Sequence, residues 1–252
     1  MDTRSHFGTL VEPRSVPADR LFHVSEELYQ GLVDGGLIPE GVTLADGLLV
    51  RESASAGEWA ERLYRMPLEV YEEISRGGPV GQADEVELLD GLLVTKMNRG
   101  LPHFVATMLA MKSLERILPD GWFVSKEDPV ALPSGPSGYP SMSEPDATVI
   151  RGEIRDYLTR RPGPPDLALV VKVSDSSLHE DRAKLARYAW ENVPVAWIVD
   201  LNARRVEEHT RPSGPAEAPG YREVAFHEPG QEIPVTLDGR EAGRASVDEL
   251  LP

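Results

Sequence analysis

The stretch Leu167 to Lys184, LALVVKVSDSSLHEDRAK, constrains the chain more than any other. Leu167 to Val171 is a continuous apolar, β-branched run without period-two alternation, the pattern of a strand covered on both faces of a parallel or mixed sheet. Lys172 follows, then the polar run Ser174 to Ser177, then a helix signalled by Glu180 and Asp181, with Leu185, Tyr188 and Ala189 on its apolar face. Open α/β sheets place their sites at this end of a strand. A second short apolar strand, EPDATVI, carries Asp146 at its start. The spacing predicts that Asp146, Lys172 and Lys184 converge at one sheet edge.

The N-terminal half contains an internal repeat. Phe22 to Val50 and Met66 to Val94 share a helix with a tyrosine (Tyr29, Tyr71), a Gly-Gly break and the pattern V-x-L-x-D-G-L-L-V. Asp-Gly between apolar runs is a hairpin signal, so each copy reads as a helix leading into two strands. Two copies are too few for a solenoid. They extend a sheet, or serve as a duplicated docking or dimerisation element. Residues 1–20 read as a flexible tail, 21–65 as the N-terminal repeat extension and linker, and 66–252 as the main domain.

Further along, Pro102 and His103 open a helix that runs on through FVATMLAMKSLERIL. PSGPSGYPSMS has the composition and length of a functional loop or a disordered connection. Val195 to Asp200, VAWIVD, is another buried-strand pattern, and Ser246-x-x-Glu249 resembles a capping box. Helices interleaved with strands make this a mixed α/β (α+β) chain.

Composition narrows the chemistry. There are no cysteines, which excludes thiol nucleophiles, disulfides and cysteine-ligated zinc. The N-terminus lacks the apolar stretch of a secretion signal, and no run approaches the about 20 apolar residues of a membrane helix, so a cytoplasmic protein without membrane association is expected. A formal net charge of −16 disfavours nucleic acid as a partner unless a local basic patch forms. Arg151, Arg155, Arg160, Arg161, Arg182, Lys184 and Arg187 are the residues available for one. A carboxylate pair at a strand end with a lysine nearby is the minimal kit for metal-dependent phosphodiester hydrolysis: the carboxylates hold Mg²⁺, and the lysine steadies the attacking water or the developing charge.

From Met66 to Pro252 the sequence resembles a restriction endonuclease family, a branch of the PD-(D/E)xK nucleases. The resemblance rests on VELLDGLLV (Val86 to Val94), His103, EPDATV (Glu144 to Val149), VVKVSDSSLHEDRAKLARYA (Val170 to Ala189) and VPVAWIVDL (Val193 to Leu201). It implies a mixed central sheet flanked by helices, DNA as substrate, Mg²⁺ or Mn²⁺ as cofactor, and commonly a homodimer, for which VAWIVD and the extra repeat would offer surface. It implies Asp146 as first metal carboxylate, Lys184 as the lysine displaced onto the following helix, His103 near the site, and Glu87 as a further residue there. Where the family pattern reads V-E-V, with the glutamate as second metal ligand, this chain has Val171-Lys172-Val173. An ammonium about 4 Å from a divalent ion is repelled by roughly 8 kcal/mol at an effective dielectric near 20. Two expectations follow. Either Lys172 pairs with Asp146 and takes the place of the metal, leaving a degenerate nuclease that binds or regulates, or Asp175, Glu180 or Asp181 substitutes for the missing glutamate and activity is kept.

Overall fold

The structure is a computed structural model and describes residues 16–52, 59–75, 86–96 and 99–252. It groups into two compact units, one of residues 1–97 with 137–142 and one of residues 98–136 with 143–252.

In the first unit both repeat copies adopt helix then hairpin. Helix α1 (Glu26–Asp34) is capped by the Ser25 hydroxyl, which accepts from the Leu28 amide, and is followed by β1 (Val42–Ala45) and β2 (Leu48–Arg51). After a single turn, α2 (Trp59–Arg62), helix α3 (Leu68–Ser75) precedes β3 (Val86–Leu89) and β4 (Leu92–Thr95). At the hairpin tips Asp46 and Gly47, and Asp90 and Gly91, all have positive φ (49°, 79°, 52° and 73°), as a turn matching the twist of its flanking strands requires. The shared tyrosine does the same work in both copies. Tyr29 donates to the carbonyl of Val42, and Tyr71 to that of Val86, tying each helix to the first residue of its strand.

The two copies also exchange their lead-in segments. Phe22 N–H donates to Leu93 O on the other copy's hairpin, while Val24 N–H donates to Gly47 O on its own; Tyr64 N–H donates to Leu49 O and Met66 N–H to Gly91 O in the mirrored arrangement. The bridges Leu21 to Val94 and Val50 to Leu63 repeat the exchange. The apolar residues between the hairpins come in matching pairs: Leu21 with Leu63, Leu48 with Leu92, Val50 with Val94. Part of the Pro, Gly and Ser loop joins this unit as a strand partner, with Met142 opposite Leu88 and the Ser141 hydroxyl accepting from the Asp90 amide.

The second unit begins with α4 (Leu101–Glu115), with Pro102 in its first turn, followed by β5 (Trp122–Lys126) and β6 (Val130–Leu132); after β7 (Ser141–Ser143), whose first two residues belong to the first unit, it resumes with β8 (Ala147–Arg151). Then come β9 (Leu167–Ser174), α5 (Leu178–Trp190), β10 (Val195–Asp200), β11 (Arg205–Pro212), β12 (Tyr221–His227), β13 (Glu232–Leu237), β14 (Arg240–Ser246) and α6 (Val247–Leu250). Six strands form one mixed sheet in the order β12-β11-β10-β9-β8-β5, in which only the central pair β9 and β10 runs parallel. Every residue of β9 and of β10 is buried, which is why neither shows alternation in its sequence.

One sheet face carries Leu169, Val171, Val173 and Trp197 against α4, α6 and the β13–β14 hairpin. The other carries Val170, Ala196 and Ile198 against Leu185 and Tyr188 of α5. Trp197 is fully buried within this unit, so VAWIVD presents no surface for a second subunit. Nor does the Ser246 capping box form. Ser246 makes no side-chain cap, and the Glu249 carboxylate is taken by Arg116 instead.

Candidate active site

The bond from β8 back to β9 begins at Asp146 itself: its N–H donates to Val171 O at 2.9 Å, and its Oδ2 accepts from Val173 N–H at 2.7 Å. This clamp turns the carboxylate into the sheet end rather than out to solvent, and Asp146 is 0% exposed. Lys172 lies between Val171 and Val173, on the face covered by α5. Its Nζ is 3.2 Å from Asp146 Oδ2 and donates to Glu144 O at 3.2 Å. The ion pair expected in place of a metal is therefore formed. Burial works to raise the Asp146 pKa, but the Lys172 ammonium, with His103 and Arg99 close by, outweighs it and holds the carboxyl well below the usual range. Burial likewise works to lower Lys172, and Asp146, helped by Asp181, holds it above its ordinary value.

The other carboxylate oxygen, Oδ1, faces the N-terminal end of α4. His103 Nε2 and Arg99 Nη2 each lie 3.3 Å away, so the buried Oδ1 has an imidazole and a guanidinium beside it. His103 is buried, with Nδ1 3.4 Å from Thr107 Oγ1 one turn along the helix. Glu127, in the bend after β5, completes the group. Its carboxylate accepts from Arg99 Nη1 and from Lys126 Nζ, both at 2.6 Å. Burial would raise the Glu127 pKa, and these two hydrogen bonds outweigh it, lowering it.

Lys184 stands half-buried on α5, three residues after Asp181 and four before Tyr188, the two α5 residues that act on the Lys172 charge. Asp181 is buried and accepts from the Ser177 hydroxyl at 2.5 Å. Asp175 contributes its carbonyl to Asn202. Glu87 belongs to the first unit, where its Oε1 is 3.4 Å from Arg20. Three of the seven residues read as a basic patch are in ion pairs: Arg151 pairs with Asp238, Arg160 with Asp166 and Arg182 with Glu207. Arg99, Lys126 and Glu127 were not anticipated. The available signal was Lys-Glu-Asp-Pro directly after an apolar strand and Arg-Gly directly before the helix of His103.

A divalent ion has two sets of donors to consider. The family's pair of carboxylates does not fit, because an ammonium occupies the second position. Among the described residues, His103, Glu127 and Asp146 offer donor atoms within 4.8 Å of one another. Each carboxylate in that trio already faces cations, Arg99 and Lys172 on Asp146, Arg99 and Lys126 on Glu127, so these residues do not fit a hard dication either.

A mixed sheet carrying a buried aspartate at the start of one strand, beside the end of a parallel pair and under a following helix, is the architecture of a restriction-endonuclease-like protein. The chain belongs to the Uma2 family, described as "Putative restriction endonuclease", whose model matches residues 68–245. A crystal structure titled as "a putative nuclease belonging to DUF820" from Anabaena variabilis is similar over 71% of this chain and 96% of that chain, with a TM-score of 0.54 and 13% identity, a likeness of fold. No curated protein matches the chain. No described helix is long and apolar enough to cross a membrane.

Proposed function

We propose that this protein keeps the nuclease fold and its nucleic-acid-facing site but does not hydrolyse DNA by the family's two-carboxylate, Mg²⁺-dependent route. The observation that carries this reading is the buried contact of Lys172 Nζ with Asp146 Oδ2 at 3.2 Å. In the family's route the metal is held by the aspartate and a second carboxylate, and it activates water and offsets phosphate charge. Here one oxygen is held by an ammonium, and that ammonium stands where the second carboxylate belongs. What remains is a cationic cluster, Arg99, Lys126 and Lys172, around one aspartate and one glutamate, suited to holding a phosphodiester without cutting it. In so acidic a chain such binding is weak and falls steeply with salt.

A second reading has one observation in its favour: buried Asp146 lies with His103 and Glu127 in a group whose donor atoms are all within 4.8 Å of one another. An ion binding there would displace Arg99 and leave an active, metal-dependent endonuclease. Calorimetric titration with Mg²⁺ and Mn²⁺, together with a plasmid nicking assay in each ion, separates the two. The expected result is no saturable metal binding and no nicking. Nicking that Asp146→Asn abolishes would overturn the proposal and establish the second reading.

A further inference from the structure

Glu127 sits in a conformation that its residue type does not favour. Its φ is +52°, in the left-handed region, where a side chain other than glycine costs roughly 1 kcal/mol. Its N–H donates to the carbonyl of Asp146 at 3.3 Å, which holds the strained residue over the site. Strain retained at a site is a pointer to function rather than to packing, and core packing is not the reason here: the side chain is 28% exposed. Its two oxygens are divided between two cations that are equally open. Oε1 takes Arg99 Nη1 and Oε2 takes Lys126 Nζ, each at 2.6 Å, with Arg99 31% and Lys126 28% exposed.

A phosphodiester presents the same object to a protein: one negative charge spread over two terminal oxygens. Guanidinium and ammonium groups are the usual partners of such oxygens. Beside them Phe104 is 52% exposed, with Lys126 Nζ over its ring at 5.5 Å from the centre, an exposed aromatic of the kind on which a base stacks next to a held backbone. Resting on the reading above that this site holds nucleic acid, we propose that Arg99 and Lys126 form a phosphodiester subsite and that Glu127 occupies it as an internal substitute anion. A DNA strand enters by displacing the Glu127 side chain, so the carboxylate sets a threshold on binding.

The test uses the full chain with two variants. Glu127→Gln removes the charge at nearly constant shape. Glu127→Asn removes it with a residue type that accepts positive φ. Binding of a fluorescent DNA duplex is read by anisotropy at low salt, with inorganic phosphate as a second probe, and thermal unfolding confirms that each variant is folded. Both variants should bind DNA about tenfold more tightly than wild type, the size of one charge-assisted contact, with a steeper salt dependence, and adding Arg99→Ala should remove the gain. If both folded variants stay within about twofold of wild type for DNA and for phosphate, the subsite does not exist. A gain for phosphate but not for DNA would uphold the anion subsite and count against the nucleic-acid reading. Mg²⁺-dependent cleavage by wild type would overturn the proposed function while leaving the Glu127 result to stand by itself.

Discussion

Replacing Lys172 by glutamate restores the family's second carboxylate and reverses the charge 3.2 Å from Asp146 Oδ2. At an effective dielectric near 20, two unit charges about 3 Å apart interact by roughly 5 kcal/mol, so reversing one would swing the site by about 10 kcal/mol if both carboxylates stayed ionised. They would not. Taking up one proton at pH 7, starting from an ordinary carboxyl near about 4, costs about 4 kcal/mol at 1.36 kcal/mol per unit, and that caps the repulsion. The Lys172→Glu protein should therefore lose about 4 kcal/mol of stability at neutral pH, beyond the loss of the pair itself, and should recover most of the repulsive part near pH 5, where the proton is available. Mn²⁺ or Mg²⁺ should replace the proton. At a hundredfold excess over its dissociation constant an ion returns about 2.7 kcal/mol. Urea denaturation with and without the ion, at both pH values, reads all of these quantities. Any DNA cleavage gained should vanish on adding Lys184→Ala. If wild type is stabilised by the same ion as strongly as the variant, another donor set holds the metal and the ion pair is not what closes the site.

Lys172→Ala leaves Asp146 buried with its principal partner gone and should cost about 3–5 kcal/mol, whereas Asp146→Asn with Lys172→Met should be far milder than the sum of its singles, a double-mutant cycle read from thermal midpoints. Asp146 has a depressed pKa in the folded state, so its contribution is fully present above the unfolded value of about 3.9 and is lost as pH falls through the folded one; urea melts should show an acid limb below about pH 4 that Asp146→Asn flattens. Lys172 is raised, so its contribution persists below about pH 10.4 and fades only above it. On the same sheet face, two strands along from Lys172, the Glu207 side chain is 1% exposed and accepts from Arg182 and His209; Glu207→Ala should lower stability by about 1–3 kcal/mol, measured by the same melts.

What could be read from the sequence was what is encoded locally or by charge at one position. The β9 run carries its own burial signature, the Asp-Gly turns carry theirs, and a lysine in a glutamate's place next to a buried aspartate has few options besides pairing with it. Glu127 and Arg99 carry only short local signals that do not point to each other: one is placed by an unfavoured φ after β5, the other by the start of α4, and they meet only once the sheet is assembled. Two of the arginines between Arg151 and Arg187 have their partners far along the chain, Asp238 for Arg151 and Glu207 for Arg182, so those pairings too form only once the sheet is assembled. VAWIVD read as a buried strand, and it is buried; taking it also as subunit surface overlooked that β11 and α4 cover it within the chain.

The exchanged lead-ins of the first unit bear on how it comes apart. Phe22 is held by Leu93 and Tyr64 by Leu49, so opening either copy strips backbone partners from the other. The two copies have no separate stabilities to measure: hydrogen exchange at the amides of Phe22, Val24, Tyr64 and Met66 should report one shared opening event. Between two chains the same exchange would be a swapped dimer, present or absent according to concentration. Carried out by one chain upon itself, it keeps a one-to-one stoichiometry at any dilution, and it has to wait in folding until the last strand of the second hairpin has been made.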